Sequence, residues 1–206
     1  KLQDLHGKFS HFDVSGRKST TKNHLAHSFW SHIPTHQKLP NMALETRKTE
    51  QAHVCLGIKG LSYSDSDRNA SDLLNTIMGE GMSSRLFLGL REEKGLVYDI
   101  HTTTSHMHDC GSFITYAGID PNNMVEVIQS ILQEFHRVKE GISEKELYKA
   151  KQYLRGRLLL RMEDTRSVAA WFGAQEILHG QTLSVDHILD QVDVLSPTDI
   201  SNIAKR

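Results

Sequence analysis

The chain has 206 residues, 24 Lys and Arg against 25 Asp and Glu, and a formal net charge of −1. Hydrophobic residues are 38% and charged residues 24%, and two cysteines, Cys55 and Cys110, are too few for a disulfide framework. This balance excludes a collagen, a disulfide scaffold and a disordered tail. It gives no electrostatic reason to expect nucleic acid or an anionic membrane as a partner, and no run nears the roughly 18 apolar residues of a membrane span.

Lys1 to Asp13 holds neither an initiator Met nor an apolar signal core, so the chain reads as a fragment or a processed product. Leu2 to Phe9 reads as the end of a helix closed by Gly7. Ser10 to Asn41 is polar and His-rich, is broken by Pro34 and Pro40, and has Phe29 and Trp30 as its large anchors. Residues 1–48 are therefore expected to be a connecting strap, and 49–206 a folded domain.

Within 49–206 the sequence predicts a strand over His53–Lys59, with Val54, Leu56 and Ile58 on one face. Asp67 to Met78 follows as a helix with Ala70, Leu73, Leu74, Ile77 and Met78 at helical spacing, ending at Gly79 in a left-handed cap. A short helix from Ser83 or Ser84 carries Leu86, Phe87 and Leu90 and stops before Gly95. Leu96–Thr104 and Gly111–Gly118 form antiparallel strands joined by the polar hairpin Ser105–Asp109.

The rest is helical. Asp120–Pro121 opens one helix that Gly141 ends. Ser143–Glu146 is a capping box for a second, running to about Met162, with Ile142 and Leu147 as its staple. A third spans roughly Arg166 to Leu178, Ser184 opens a fourth, and Ser196–Pro197 a fifth. Strands followed by a helical run predict an α+β fold, an antiparallel β-sheet with helices packed on one face.

Candidate chemistry is sparse. His24, His27, His32 and His36 lie within the strap, and His106, His108 and Asp109 crowd the hairpin, but neither set has the frame of a zinc site, so no metal site is assigned. Cys55 and Cys110, read as strand residues, lack the helix-start or cationic setting that makes a nucleophilic thiolate. No nucleophile elbow, phosphate loop, dinucleotide fingerprint or zincin helix occurs.

One segment stands apart: Leu74 to Phe87, containing Gly79–Glu80–Gly81–Met82–Ser83–Ser84–Arg85–Leu86, leads into Arg91–Glu92–Glu93–Lys94–Gly95–Leu96–Val97–Tyr98. It reads as helix, glycine turn, short helix, glycine turn, strand. The second turn can bring Arg91 and Tyr98 toward one edge, where both can bond peptide carbonyls. Spacing alone favours the plainer reading, with Arg91 capping its helix end and Tyr98 a half-buried strand aromatic.

This stretch, with Glu50–Gln51–Ala52–His53–Val54, Tyr116–Ala117–Gly118, Ser143–Leu147 and Glu176–Gly180, closely resembles the C-terminal, non-zinc half of the pitrilysin/insulinase-type zinc metallopeptidases, the family of mitochondrial processing peptidase. The resemblance implies one half of a two-half clam-shell, with 1–48 as the end of the preceding half plus linker. It places zinc, its ligands and the general base in the other half, and none in this chain. By position it maps the substrate-contacting Arg and Tyr of the family onto Arg91 and Tyr98. Tyr98 would reach the scissile carbonyl, and Arg91 would hold the peptide backbone. The substrate would be a peptide or unfolded polypeptide added as a strand. The expected partner is the zinc-binding half, in the same chain or another subunit, in a dimeric arrangement without nucleic acid or membrane, in the cytoplasm. Two other readings compete with the peptidase: a non-catalytic scaffold subunit of the same fold, and, ranked last, a His-rich metal-binding module.

Overall fold

The computed structural model describes residues 50–206. The strap with its His24, His27, His32 and His36, the helix end at Leu2–Phe9 and the boundary drawn at residue 48 lie outside the described residues. Strands β1 (Ala52–Gly60), β2 (Val97–His106) and β3 (Gly111–Ile119) form an antiparallel sheet in the order β1-β3-β2. Registry runs from Ala52↔Ile119 to Gly60↔Gly111 on one side of β3, and ends at His106↔Gly111 on the other. Among the described residues six α-helices accompany the sheet: α1 (Arg68–Gly79), α2 (Met124–Glu140), α3 (Glu144–Arg161), α4 (Thr165–His179), α5 (Val185–Asp193) and α6 (Pro197–Lys205).

The period of two decides which sheet face is covered. Ile100, Thr102, Phe113, Thr115, Ala117 and Ile119 are buried, with Ala52, Val54 and Leu56 packed against them. Leu86, Leu90, Val127, Ile131 and Val138, from the short helix and α2, close that core. A second core joins Ala70, Leu73 and Ile77 of α1 to Leu147, Ala150, Val192 and Ile200 of the later helices. Each fully buried aliphatic side chain contributes about 1.5–3 kcal/mol, so α1, which packs against both β2 and α3, is the central pillar. Ile58 keeps the inward register yet is 55% exposed, because it lies near the end of a strand with a neighbour on one side only among the described residues.

Helix ends follow their side chains. Ser143 and Glu146 form the reciprocal capping box of α3, Ser196 and Asp199 do the same for α6, and Ser184 caps α5. Asp120 accepts from Asn122 N across a 3-10 turn, Pro121–Asn123, that precedes α2. Gly180, with φ of 61°, closes α4.

Three expectations need correction. Gly79 is not a left-handed cap: it lies inside α1, and a Cβ there would stand 2.5 Å from Thr102 N and Oγ1. The glycine is needed for close approach of α1 to β2, and Gly81 takes the positive φ instead. The short helix is also not α-helical over most of its length, for Phe87–Glu93 is a π-helix. Cys110, read as a strand residue, belongs to the turn before β3.

Candidate functional site

The π-helix and the first residues of β2 place the two residues that the sequence singles out. Leu86 and Leu90 sink into the core and leave Arg91, in the last turn, exposed. Its guanidinium lies 4.9 Å from the centre of the Phe87 ring, a cation–π contact that holds the group without consuming its five donors. The expected carbonyl cap at the helix end is not what occupies Arg91. The helix is closed by Leu96 N donating to Leu90 O at 2.9 Å, across Gly95 at φ of 61°. Lys94 Nζ bonds Ser130 Oγ at 3.0 Å and ties the turn to α2. π-helical segments are rare and concentrate at functional sites.

Tyr98 owes its position to a second irregularity. Val97 pairs with Ile119 and Asp99 with Gly118, so Tyr98 is the extra residue of a β-bulge. A bulge re-aims a side chain. Val97 and Ile100 both point inward, while Tyr98 and Asp99 both lie on the open face, Tyr98 being 55% exposed. One loop, Lys94–Leu96, thus separates an exposed guanidinium from an exposed phenol.

Behind them an ion pair fixes the Gly79–Arg85 segment. Arg85 Nε and Nη2 donate to the two carboxylate oxygens of Glu146 at 2.7 and 3.2 Å, and Nη2 also donates to Gly141 O at 3.1 Å. Ser143 N and Oγ, each at 2.9 Å, add to the same carboxylate. Burial alone would raise the Glu146 pKa, but the hydrogen bonds from Arg85 and Ser143 outweigh it and hold it down at about 2. Arg157 similarly meets Glu80 at 2.6 Å.

The hairpin histidines divide. His106 Nδ1 donates to Leu61 O at 2.7 Å and Nε2 to Asp72 Oδ1 at 2.9 Å, a carboxylate oxygen that Thr104 Oγ1 also reaches. A carbonyl and a carboxylate only accept, so the two contacts are satisfied together when both ring nitrogens carry protons. The Asp72 hydrogen bond raises the His106 pKa against the opposing effect of burial. Asp109, through a hydrogen bond, raises the Cys110 thiol pKa, the wrong direction for a nucleophile. Among the described residues no three or more His, Cys, Asp or Glu side chains come together to hold a metal ion, so these residues do not fit a zinc centre. None of the described helices is long and apolar enough to cross a membrane.

Sequence reasoning passed over one cluster. On the open sheet face the Tyr116 hydroxyl lies 2.7 Å from His53 Nδ1, the His101 ring centre 4.9 Å from that of Tyr116, and His101 Nδ1 3.4 Å from Asp99 Oδ2. The signal was present in the alternation: His53, Tyr116 and His101 all occupy the polar positions of their strands.

Comparison with known proteins bears on the family and the fold. The family profile of the peptidase M16 inactive domain matches residues 9–154. An uncharacterized zinc protease of Streptomyces coelicolor is 40% identical over 160 residues, 77% of this chain and 35% of its own length. The uncharacterized zinc protease YmxG of Bacillus subtilis is 33% identical over 161 residues, 78% of this chain and 39% of its own. Among solved structures, a protease from Helicobacter pylori superposes with a TM-score of 0.69 at 24% identity, over 78% of this chain and 39% of that one. A peptidase M16 inactive domain from Pseudomonas fluorescens gives 0.68 at 22%, over 75% and 37%. At these identities the structures speak for the fold alone, and the chain spans well under half the length of the proteins it matches.

Proposed function

Because the chain belongs to the M16 peptidase family and carries its inactive domain, we propose that it is the substrate-binding, catalytically incomplete half of a zinc-dependent metalloendopeptidase. The observation that carries the reading is the pairing of two local irregularities, the π-helix under Arg91 and the bulge under Tyr98, which leave one cation and one phenol exposed on either side of a short turn.

The chemistry follows from the donors. A guanidinium has fixed N–H groups and no acceptor, so Arg91 holds peptide carbonyls of an extended substrate. The Tyr98 hydroxyl donates to the scissile carbonyl oxygen, and its effect is greatest as negative charge develops there. Zinc supplies the activated water of such peptidases and belongs to the partner half, which this chain would meet within the same polypeptide or in another subunit. The substrate is a peptide or unfolded polypeptide bound mainly through its main chain.

A scaffold role is the second reading. A chain of complex III2 from Candida albicans shares the fold with a TM-score of 0.70 at 18% identity, over 78% of this chain and 40% of that one, so the fold also occurs within a larger complex. A scaffold has no physical need for both Arg91 and Tyr98 at the surface, which favours the peptidase.

The test is peptide hydrolysis by the full-length protein with and without a zinc chelator, with this chain as the inert control. Tyr98→Phe should lower kcat about 10²–10³-fold, the loss of one oxyanion donor. Arg91→Ala should mainly raise KM. No cleavage across a varied peptide pool would turn the reading to the scaffold, and unchanged turnover in Tyr98→Phe would remove that residue from the site.

A further inference from the structure

The turn that joins β2 to β3, at the end of β2 opposite Tyr98, holds two sulfur atoms side by side. His106 and Gly111 are the last register pair, so Met107 and Cys110 are the feet of a four-residue loop, Met107–His108–Asp109–Cys110. Its backbone is fixed on both sides. Met107 N donates to Cys110 O at 2.9 Å and closes the loop, while Tyr63 N donates to Met107 O at 2.7 Å and ties it to the connection between β1 and α1. Gly111 admits no side chain, since a Cβ there would collide with Leu61 O, so the loop is seated directly on that connection. The two feet carry their side chains together, and Cys110 Sγ lies 4.0 Å from Met107 Sδ. Both residues are exposed, Met107 at 61%, and neither joins either core. Packing therefore does not account for a thioether at this tip.

We propose that Cys110 and Met107 form a binding site for a soft monovalent metal ion, Cu(I), held between the two sulfurs. The inference does not rest on the peptidase reading. Thiolate and thioether are soft ligands that suit Cu(I), whereas zinc draws on Cys, His and carboxylates and has no use for a thioether. Metal–thiolate bonds run at about 2.3 Å, so an ion bonded to sulfurs 4.0 Å apart joins them at about 120°, the trigonal angle. Tetrahedral zinc needs four donors, and no three His, Cys, Asp or Glu side chains come together among the described residues. Cu(I) is satisfied by fewer, and exposure of both sulfurs leaves its remaining position open to solvent. The exchange balances without redox change. A Cu–S bond forms at Cys110 as its S–H bond breaks, the proton passes to solvent, Met107 Sδ gives a lone pair, and copper stays monovalent. The backbone of the loop is already closed, so the ion has only two side chains to order.

The test uses the full-length protein, reduced and free of oxygen, with Cys55→Ser as background so that the other cysteine of this chain is silent. With methionine labelled at its methyl carbon, one equivalent of Cu(I) should shift the Met107 methyl resonance, which is identified by its absence in Met107→Leu. Zn(II) alone should leave that resonance in place. In competition with a chromophoric Cu(I) chelator, the background protein should retain one more equivalent of copper than either Cys110→Ser or Met107→Leu. Both positions are exposed, so both variants should melt with the background protein, which certifies their folding. A Met107 methyl unmoved by Cu(I), a shift that survives Cys110→Ser, or an equal response to Zn(II) would overturn the proposal. So would a Met107→Leu protein that keeps the full copper content, because the site would then be a single thiol. None of these readings involves peptide or cleavage, so this proposal and the peptidase reading fail separately.

Discussion

Replacing Glu146 by Gln tests whether the ion pair behind the π-helix holds the fold as its geometry implies. The side chain receives Arg85 on both oxygens and Ser143 through N and Oγ, and its carboxyl falls from an ordinary 4.5 to about 2. At about 1.36 kcal/mol per pH unit, that lowering corresponds to about 3 kcal/mol of stability at neutral pH. The Glu146 side chain is 35% exposed, and solvent screening reduces the expected loss in Glu146→Gln to about 1–2 kcal/mol. Because the folded pKa is depressed, the contribution is complete above the unfolded value and disappears as pH falls from about 4.5 toward 2. Urea melts of both proteins should therefore differ by that amount near pH 7, converge below about pH 4 and show equal slopes, since no surface is newly exposed. In thermal melts the gap should be about 2–4 °C per kcal/mol for a chain of this size. A difference that persists unchanged to about pH 3, or that is absent near pH 7, would refute the assignment of the stabilisation to the ionised carboxylate.

Two further outcomes follow from the packing. His106→Gln should cost about 1.5–3 kcal/mol at mildly acidic pH, the range for hydrogen bonds to a charged group. Its folded pKa is raised, so that stabilisation is fully present below the ordinary imidazole range and is lost as pH rises through the folded value. The facing groups are Asp72 and Arg68 of α1, Thr104 of β2 and the Leu61 carbonyl, with Arg68 alone opposing the charge. A melting-temperature profile against pH checks this, and a variant that tracks the wild type at acid pH would refute it. Gly79→Ala drives a methyl to 2.5 Å from Thr102 and should destabilise by about 1–3 kcal/mol through overpacking, read by calorimetry. A gain in stability there, as ordinary helix propensity would give, would show that α1 can move off β2.

The legible parts of this chain are those written in local chemistry. The alternation of Val54, Leu56 and their neighbours identifies β1, and Ser143, Ser184 and Ser196 mark three helix starts by a hydroxyl that reaches a backbone N–H. Arg91 and Tyr98 were visible because one resemblance names them together, though not what makes them accessible. Leu86 and Leu90 keep the i, i+4 spacing of an ordinary α-helix, so their pattern does not announce the π-helix at Phe87–Glu93. The bulge did leave a trace: Val97 and Ile100 are three apart where a regular strand puts inward residues two apart. Arg85 with Glu146, and His53 with Tyr116 and His101, are joined only once helix docking and strand register are known, and such pairings carry no sequence-local signal.

The two irregularities around the Lys94–Leu96 turn share a property that composition does not reveal. A π-helix and a β-bulge each accommodate one residue beyond the regular count of their element. One rotation step along a helix is about 100°, and one step along a strand reverses the face. Chain length between Leu86 and Asp99 is therefore itself information, stored as two inserted positions on opposite sides of a glycine hinge. Substituting almost any exposed residue there leaves the aim of Arg91 and Tyr98 intact, whereas a single-residue deletion regularises one element and turns its side chain away. In this segment the number of residues constrains the aim of the two side chains more than the identity of their exposed neighbours does.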